Sequence, residues 1–207
     1  CEELGRRGHG VAVYTPQYHE AKEIKSAGAP PARIHTPELK QQIDHAKRLT
    51  PSLEYGNAAR LPQLTHELDD FDLVHLHYPF FGTAGLVRKW KRRHPGKPLV
   101  ITYHMDTRSP GWKGLIFRSY ATYWLPRVLS AADRLLVSSF EYLEASDAAP
   151  LYHKDKSKWS ELPLGVDTAR FFPAEPSIEL ARALKLKPDL PIVLFVGGMD
   201  QAHYFKG

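Results

Sequence analysis

At 207 residues the chain is long enough for one large domain, or for one domain and part of another. Hydrophobic residues make up 43% and aromatic residues 11%, enough for a real core, which excludes a disordered chain. The net charge is +5, the single cysteine excludes an internal disulfide framework and fits a reducing compartment, and no apolar run nears the roughly 18 residues that span a bilayer.

Residues 2–10 read as the tail of a helix, with Arg6 and Arg7 suited to its C-terminus and Gly8 and Gly10 to the cap that stops it. Val11 to Pro16 is then a strand. Because the chain starts inside an element, at Cys1, it is expected to be an internal fragment, truncated at both ends. Gln17 to Tyr55 is weakly patterned and broken by Pro30, Pro31, Pro37 and Pro51, so it is read as loop-rich, with a short strand over Ala32 to Thr36. Leu61, Leu64 and Leu68 predict a helix over Gly56 to Leu68.

A regular rhythm follows. Asp72 to His77 predicts a strand, Thr83 to His94 a helix ended by Pro95-Gly96, and Leu99 to His104 a strand. Gly114 to Ala132 predicts a helix with a break at Pro126. Arg134 to Ser138 predicts a strand, Phe140 to Ala145 a short helix, and Glu161 to Val166 a further strand. Phe171 to Pro176 reads as a linker, Ser177 caps a helix carrying Leu180, Ala181 and Leu184, and Ile192 to Val196 starts a new buried strand. Apolar strands alternating with helices predict an α/β fold: a Rossmann-like parallel sheet with helices on both faces. The boundary is set near Phe171, giving a first domain over 1–171 and the opening of a second over 172–207.

In such sheets ligands bind at the carboxyl ends of the strands. The candidates there are His77 and Tyr78, His104 and Asp106, Ser139, and Asp167. An imidazole at His104 suits proton handling or a bond to a ligand hydroxyl near neutral pH. His75 and His77 share a strand face, but no CxxC or HExxH partner joins them, so no metal site is expected; His75 is read as structural and His77 as pocket edge. At the far end, Gly197-Gly198 after an apolar strand, with Lys206 beyond, is the pattern that brings backbone N–H groups and a point charge to a phosphate. No GxSxG elbow and no GxxxxGK[ST] loop occurs.

Two stretches invite a surface partner. Arg88, Lys89, Lys91, Arg92, Arg93 and Lys97 cluster around Trp90, a pattern that suggests nucleic acid, anionic lipid or an anionic ligand, or else a solvated helix face. Of these, an anionic membrane surface is the expected partner of Arg88, Lys89, Lys91, Arg92 and Arg93, with Trp90 at headgroup level. Trp112, Leu115, Ile116, Phe117, Tyr120, Tyr123, Trp124 and Leu125 form an unusually aromatic helix with Lys113 and Arg118 interleaved. That reads as core or as a membrane-interface element. Nucleic acid is not an expected partner.

Several segments together resemble the retaining glycosyltransferases of family 4, which have the two-domain GT-B fold. Leu4-Gly5-Arg6-Arg7-Gly8-His9-Gly10-Val11 resembles the family's L-x-x-R-G-H-x-V. Asp72 to His77 resembles D-V-V-H-x-H, Ile101 to His104 resembles x-T-x-H, and Ala132 to Ser139 resembles A-D-x-V-I-x-x-S. Leu162-Pro163-Leu164-Gly165-Val166-Asp167, with Arg170, Phe171 and Pro173, resembles I-P-N-G-V-D-x-x-R-F-x-P. Phe195-Val196-Gly197-Gly198 with Lys206-Gly207 resembles F-V-G-R-L-x-x-x-K-G. The resemblance implies a glycosyltransferase moving a sugar from a nucleotide-sugar donor to a lipid-linked or glycan acceptor with retention of configuration. By the same resemblance no cofactor or metal is expected, and the expected place of work is the cytoplasm, peripherally at the membrane.

His104 takes the position of the family's active-site histidine and Lys206 that of the lysine on the donor diphosphate. Gly198 stands where many members have an arginine, Leu164 replaces the usual asparagine, and His203, in a lengthened loop, could substitute for the lost cation. Gly198 motivates an alternative, a non-catalytic nucleotide- or sugar-binding module of the same fold. An NAD-dependent Rossmann enzyme is a third reading, for which no GxGxxG follows any strand in the sequence.

Overall fold

The computed structural model describes residues 2–17, 46–55, 58–108, 111–169, 171–174, 177–185, 187 and 192. They fall into two units, Cys1–Leu164 and Gly165–Gly207. In the first, helix α1 (Glu2–Arg6) leads through Gly8, at φ +86°, to strand β1 (Val13–Pro16). The left-handed backbone at Gly8 is the one the sequence predicts for a helix stop.

The segment read as loop-rich with short elements contains one such element, β2 (Ala46–Leu49), parallel to β1 with Pro16 opposite Leu49. The Ala32 to Thr36 strand lies outside the described residues. The helix expected over Gly56 to Leu68 shrinks to α2 (Leu64–Glu67) and a following 3-10 turn, because Ala58–Arg60 forms a strand, β4, antiparallel to β3 (Leu53–Tyr55). Distant residues impose that strand: Ala59 N–H donates to the Phe81 carbonyl at 3.0 Å, and the buried Thr83 hydroxyl donates to the Ala59 carbonyl at 2.6 Å. Gly82 lets the two backbones meet, since a Cβ there would lie 2.7 Å from the Ala59 oxygen and its φ is +82°.

The main sheet follows the predicted rhythm. It consists of β5 (Val74–Tyr78), β6 (Leu99–Tyr103), β7 (Arg134–Val137) and β8 (Trp159–Glu161), all parallel, in that order. The last strand ends earlier than expected: Leu162 N–H still reaches the Val137 carbonyl, but Leu164 and Val166 are exposed and unpaired in any strand. Between the strands lie α3 (Ala84–Arg93), α4 (Gly111–Tyr123), α5 (Leu125–Leu129), α6 (Phe140–Glu144) and α7 (Ala149–Lys154). The break between α4 and α5 falls at Trp124, with Pro126 in the first turn of α5, where its missing N–H costs nothing. Helix α7, which the sequence reading lacked, likewise starts with a proline, Pro150.

Registered neighbours Leu76, Ile101, Leu135 and Trp159 are all buried on one face of the sheet. They join Val87, Trp90, Leu129 and Leu143 from the helices in one core. Strand alternation sends His75 and His77 to the opposite face, where both are exposed. This parallel α/β sheet is the Rossmann-like fold class that the sequence predicts.

In the second unit, the Asp167 carboxylate accepts from Ala169 N–H at 3.0 Å, and helix α8 (Ile178–Ala183) opens with Ala181 N–H on the Ser177 carbonyl. Ile192 is exposed; the rest of the strand expected over Ile192 to Val196 lies outside the described residues.

Candidate active site

The carboxyl ends of β5 and β6 are adjacent because those strands pair in parallel with His77 opposite Thr102. Period-two alternation then puts His75, His77, Thr102 and His104 on one face. His75 and His77 stack with ring centres 4.5 Å apart, and His77 and His104 stack at 5.1 Å with their planes 13° apart. His77 Nδ1 lies 2.8 Å from His104 Nε2, a hydrogen bond in which one ring must donate and the other accept. His75 Nε2 lies 2.7 Å from the Thr102 hydroxyl. Among the described residues His104 Nδ1 has no hydrogen-bond partner, so it is the ring atom left for a ligand.

Partial desolvation of the His75 and His77 rings makes a positive charge there costly. Desolvation first, then the neighbouring His77 and His104, pushes the His75 pKa down to about 4, and desolvation followed by His104 lowers that of His77. The consequence for stability has a definite sign. An unfolded imidazole takes its proton near pH 6.5, whereas His75 in the fold takes it only near pH 4. Between those values the unfolded chain binds the extra proton, so stability falls as pH drops through that window. Urea midpoints measured at pH 7, 5.5 and 4.5 are expected to decline more steeply for the parent than for His75→Gln; parallel declines would contradict the assignment.

The other candidates take different positions. Tyr78 is buried on the core side, stacked on Tyr103 with centroids 5.6 Å apart, so it faces away from His77. Burial raises its pKa, with Tyr120 adding to the effect. The side chain of Asp106 is only 8% exposed. It accepts from the Tyr103 hydroxyl, from Asp147 N–H at 3.0 Å and from Arg108 at 2.9 Å, while its own N–H donates to the Tyr142 hydroxyl at 2.7 Å. These bonds tie the end of β6 to α6 and the turn before α7. Ser139 is the N-cap of α6, its hydroxyl accepting from Tyr142 N–H at 3.3 Å. Asp167 belongs to the second unit, and Gly197, Gly198, His203 and Lys206 lie outside the described residues. Thr102, which the sequence reading passed over, is the hydroxyl that fixes His75; the alternation of β6 was its signal.

The basic helix needs a correction. Trp90, expected at headgroup level, is 1% exposed in the core and donates to Asp69 Oδ1 at 2.8 Å. Lys91 turns inward as well: its ammonium reaches Asp133 at 2.8 Å and the carbonyls of Pro95 and Lys97 at 2.9 and 2.7 Å, leaving its side chain 11% exposed. Helical periodicity explains both, since Ala84, Val87 and Trp90 form the buried stripe of α3. Lys89, Arg92 and Arg93 remain exposed. Among the described residues no group of His, Cys, Asp or Glu is arranged to hold a metal, and no helix is long and apolar enough to cross a membrane.

Fold and site together define a Rossmann-like α/β domain with a histidine pair at the carboxyl ends of two adjacent parallel strands. The model of Glycosyltransferase Family 4 matches residues 1–170, and the chain belongs to that family. It is similar to curated proteins named D-inositol 3-phosphate glycosyltransferase. The one from Actinosynnema mirum is 32% identical over 142 residues, covering 64% of this chain and 31% of that protein. The one from Xylanimonas cellulosilytica is 30% identical over 213 residues, 94% of this chain and 48% of the relative. The one from Mycolicibacterium gilvum is 27% identical over 211 residues, 94% and 44% respectively. The chain thus spans less than half the length of these relatives. No solved structure matches it significantly.

Proposed function

We propose that the whole protein transfers a sugar from a nucleotide-sugar donor to a phosphorylated polyol or other glycan-type acceptor, with retention of configuration. The observation carrying this reading is the exposed His77–His104 pair at the carboxyl ends of adjacent parallel strands, in a chain of Glycosyltransferase Family 4. The relatives' names make inositol 3-phosphate the first acceptor to try. A lipid-linked acceptor would in addition require the protein to reach a bilayer surface. The single cysteine supports a reducing, cytoplasmic setting.

As the bond from the anomeric carbon to the diphosphate breaks, negative charge builds on the leaving oxygen. Lys206, His203 and the backbone N–H groups at Gly197 and Gly198 would counter it electrostatically, and no metal is invoked. The acceptor hydroxyl forms the new bond on the face the diphosphate leaves, and its proton passes to the departing phosphate oxygen. His104 Nδ1 holds a substrate hydroxyl on the face where that attack takes place, and the bond to His77 fixes the ring.

The test incubates the intact protein with separate uridine- and guanosine-diphosphate sugars and myo-inositol 3-phosphate, reading product by mass and anomeric configuration by proton coupling. Transfer with retention is expected. Inversion would overturn the stereochemical part. Donor binding by calorimetry without transfer to any polyol phosphate, glycan or lipid-linked acceptor would favour the non-catalytic module suggested by Gly198.

A further inference from the structure

The structure exposes an apolar surface on a helix other than the basic one. On α4 and the residue after it, Trp112, Leu115, Ile116, Tyr123 and Trp124 are each half or more exposed, at 68, 66, 56, 61 and 50%. Large apolar side chains clustered in this way mark contact surfaces. Leu115, Ile116, Ser119, Tyr120, Tyr123 and Trp124 border a shallow depression of about 420 Å³.

The charged side chains of α3, α4 and α5 are all basic, and the Asp147 carboxylate, paired with Arg108, lies within electrostatic reach of Arg118. Asp106 is the only carboxylate between Asp72 and Asp133 in the sequence, and it is turned inward onto Tyr103 and Arg108. The Arg88 guanidinium lies 6.0 Å from the centre of the Trp124 ring and so joins α3 to the apolar face. Arg92 follows Arg88 by one helical turn and shares its side of α3. Arg118 on α4 and Arg127 on α5 are exposed as well.

We propose that the exposed face of α4, together with Arg88 and Arg92, docks on a bilayer containing anionic lipid, with Trp112 and Trp124 at the boundary between headgroups and acyl chains. Aromatic rings with one apolar and one polar edge settle at that depth, and arginines beside them reach lipid phosphates. A second copy of the chain would bring an equally cationic face against this one, so like charges oppose self-association. The inference goes beyond the proposed reaction and does not depend on it.

Co-sedimentation of the intact protein with vesicles tests it. Phosphatidylcholine vesicles with about 30% phosphatidylglycerol are expected to bind the protein at low salt, and plain phosphatidylcholine to bind it far less. Raising salt from about 50 to about 500 mM should weaken binding at least tenfold, because the electrostatic part is screened. Leu115→Gln with Ile116→Gln, and separately Arg88→Gln with Arg92→Gln, should each lower partitioning about tenfold, and transfer to a soluble acceptor without vesicles should stay at the parent rate. Melting temperatures matching the parent's confirm that the variants fold; Arg92→Gln alone is the fallback if one does not. No binding to anionic vesicles at low salt, or equal binding by parent and variants, overturns the proposal. So does a concentration-dependent dimer lost on Leu115→Gln with Ile116→Gln, which would assign the face to a second copy.

Discussion

Replacing His104 by Ala in the intact protein is expected to lower turnover about 10²- to 10⁴-fold, the range for removing a positioned group that handles protons or hydroxyls in the transition state. Stability should barely move. The ring is exposed, its side-chain bond goes to another exposed ring, and the backbone bond from His104 N–H to the Tyr78 carbonyl at 3.0 Å survives the substitution. Exposed substitutions of this kind stay within about 0.5 kcal/mol. Initial rates with the best donor–acceptor pair, set beside a thermal melt, separate the outcomes. An unchanged rate would return His104 to the surface of the sheet with no role in transfer.

Much of the sheet was legible in the sequence because its strands are short apolar runs bounded by glycine and proline. The β5 pattern, in which Val74, Leu76 and Tyr78 are buried and His75 and His77 exposed, is the period-two alternation in its simplest form. The same alternation already separated Tyr78 from His77, although both lie at the carboxyl end of β5. The buried stripe of Ala84, Val87 and Trp90 was equally visible beneath the cations around it. Other features had no local signal. Strand β4 forms because Phe81 and Thr83 bind Ala59 from more than twenty residues away, and that contact overrides the helical spacing of the leucines. The pairing of His77 with His104 depends on the register between β5 and β6, which a single sequence does not encode locally. Asp106 shows how the two limits meet: its place at a strand end was readable, but its contacts with Tyr142 and Asp147 come from elements packed around it.

The role of α3 gives the second large effect. Trp90→Ala is expected to destabilise the folded chain by about 3–5 kcal/mol, the cost of emptying a fully buried aromatic site. The indole fills the core beneath α3 at 1% exposure, stacks on His94 with centroids 5.1 Å apart, and donates to Asp69 Oδ1. Asp69 also holds the end of this region, because Lys97 Nζ donates to its carbonyl. In a chain of this size that loss corresponds to a fall of roughly 10 °C or more in melting temperature. Trp90→Phe should fall between parent and Trp90→Ala, since a ring remains but the bond to Asp69 does not. Lys89→Ala, one residue away on the exposed side, should shift the melt by less than about 2 °C. If Trp90 served as a lipid anchor, removing it would spare the melt and weaken vesicle binding; the buried geometry requires the opposite order of effects, with the large change in the melt.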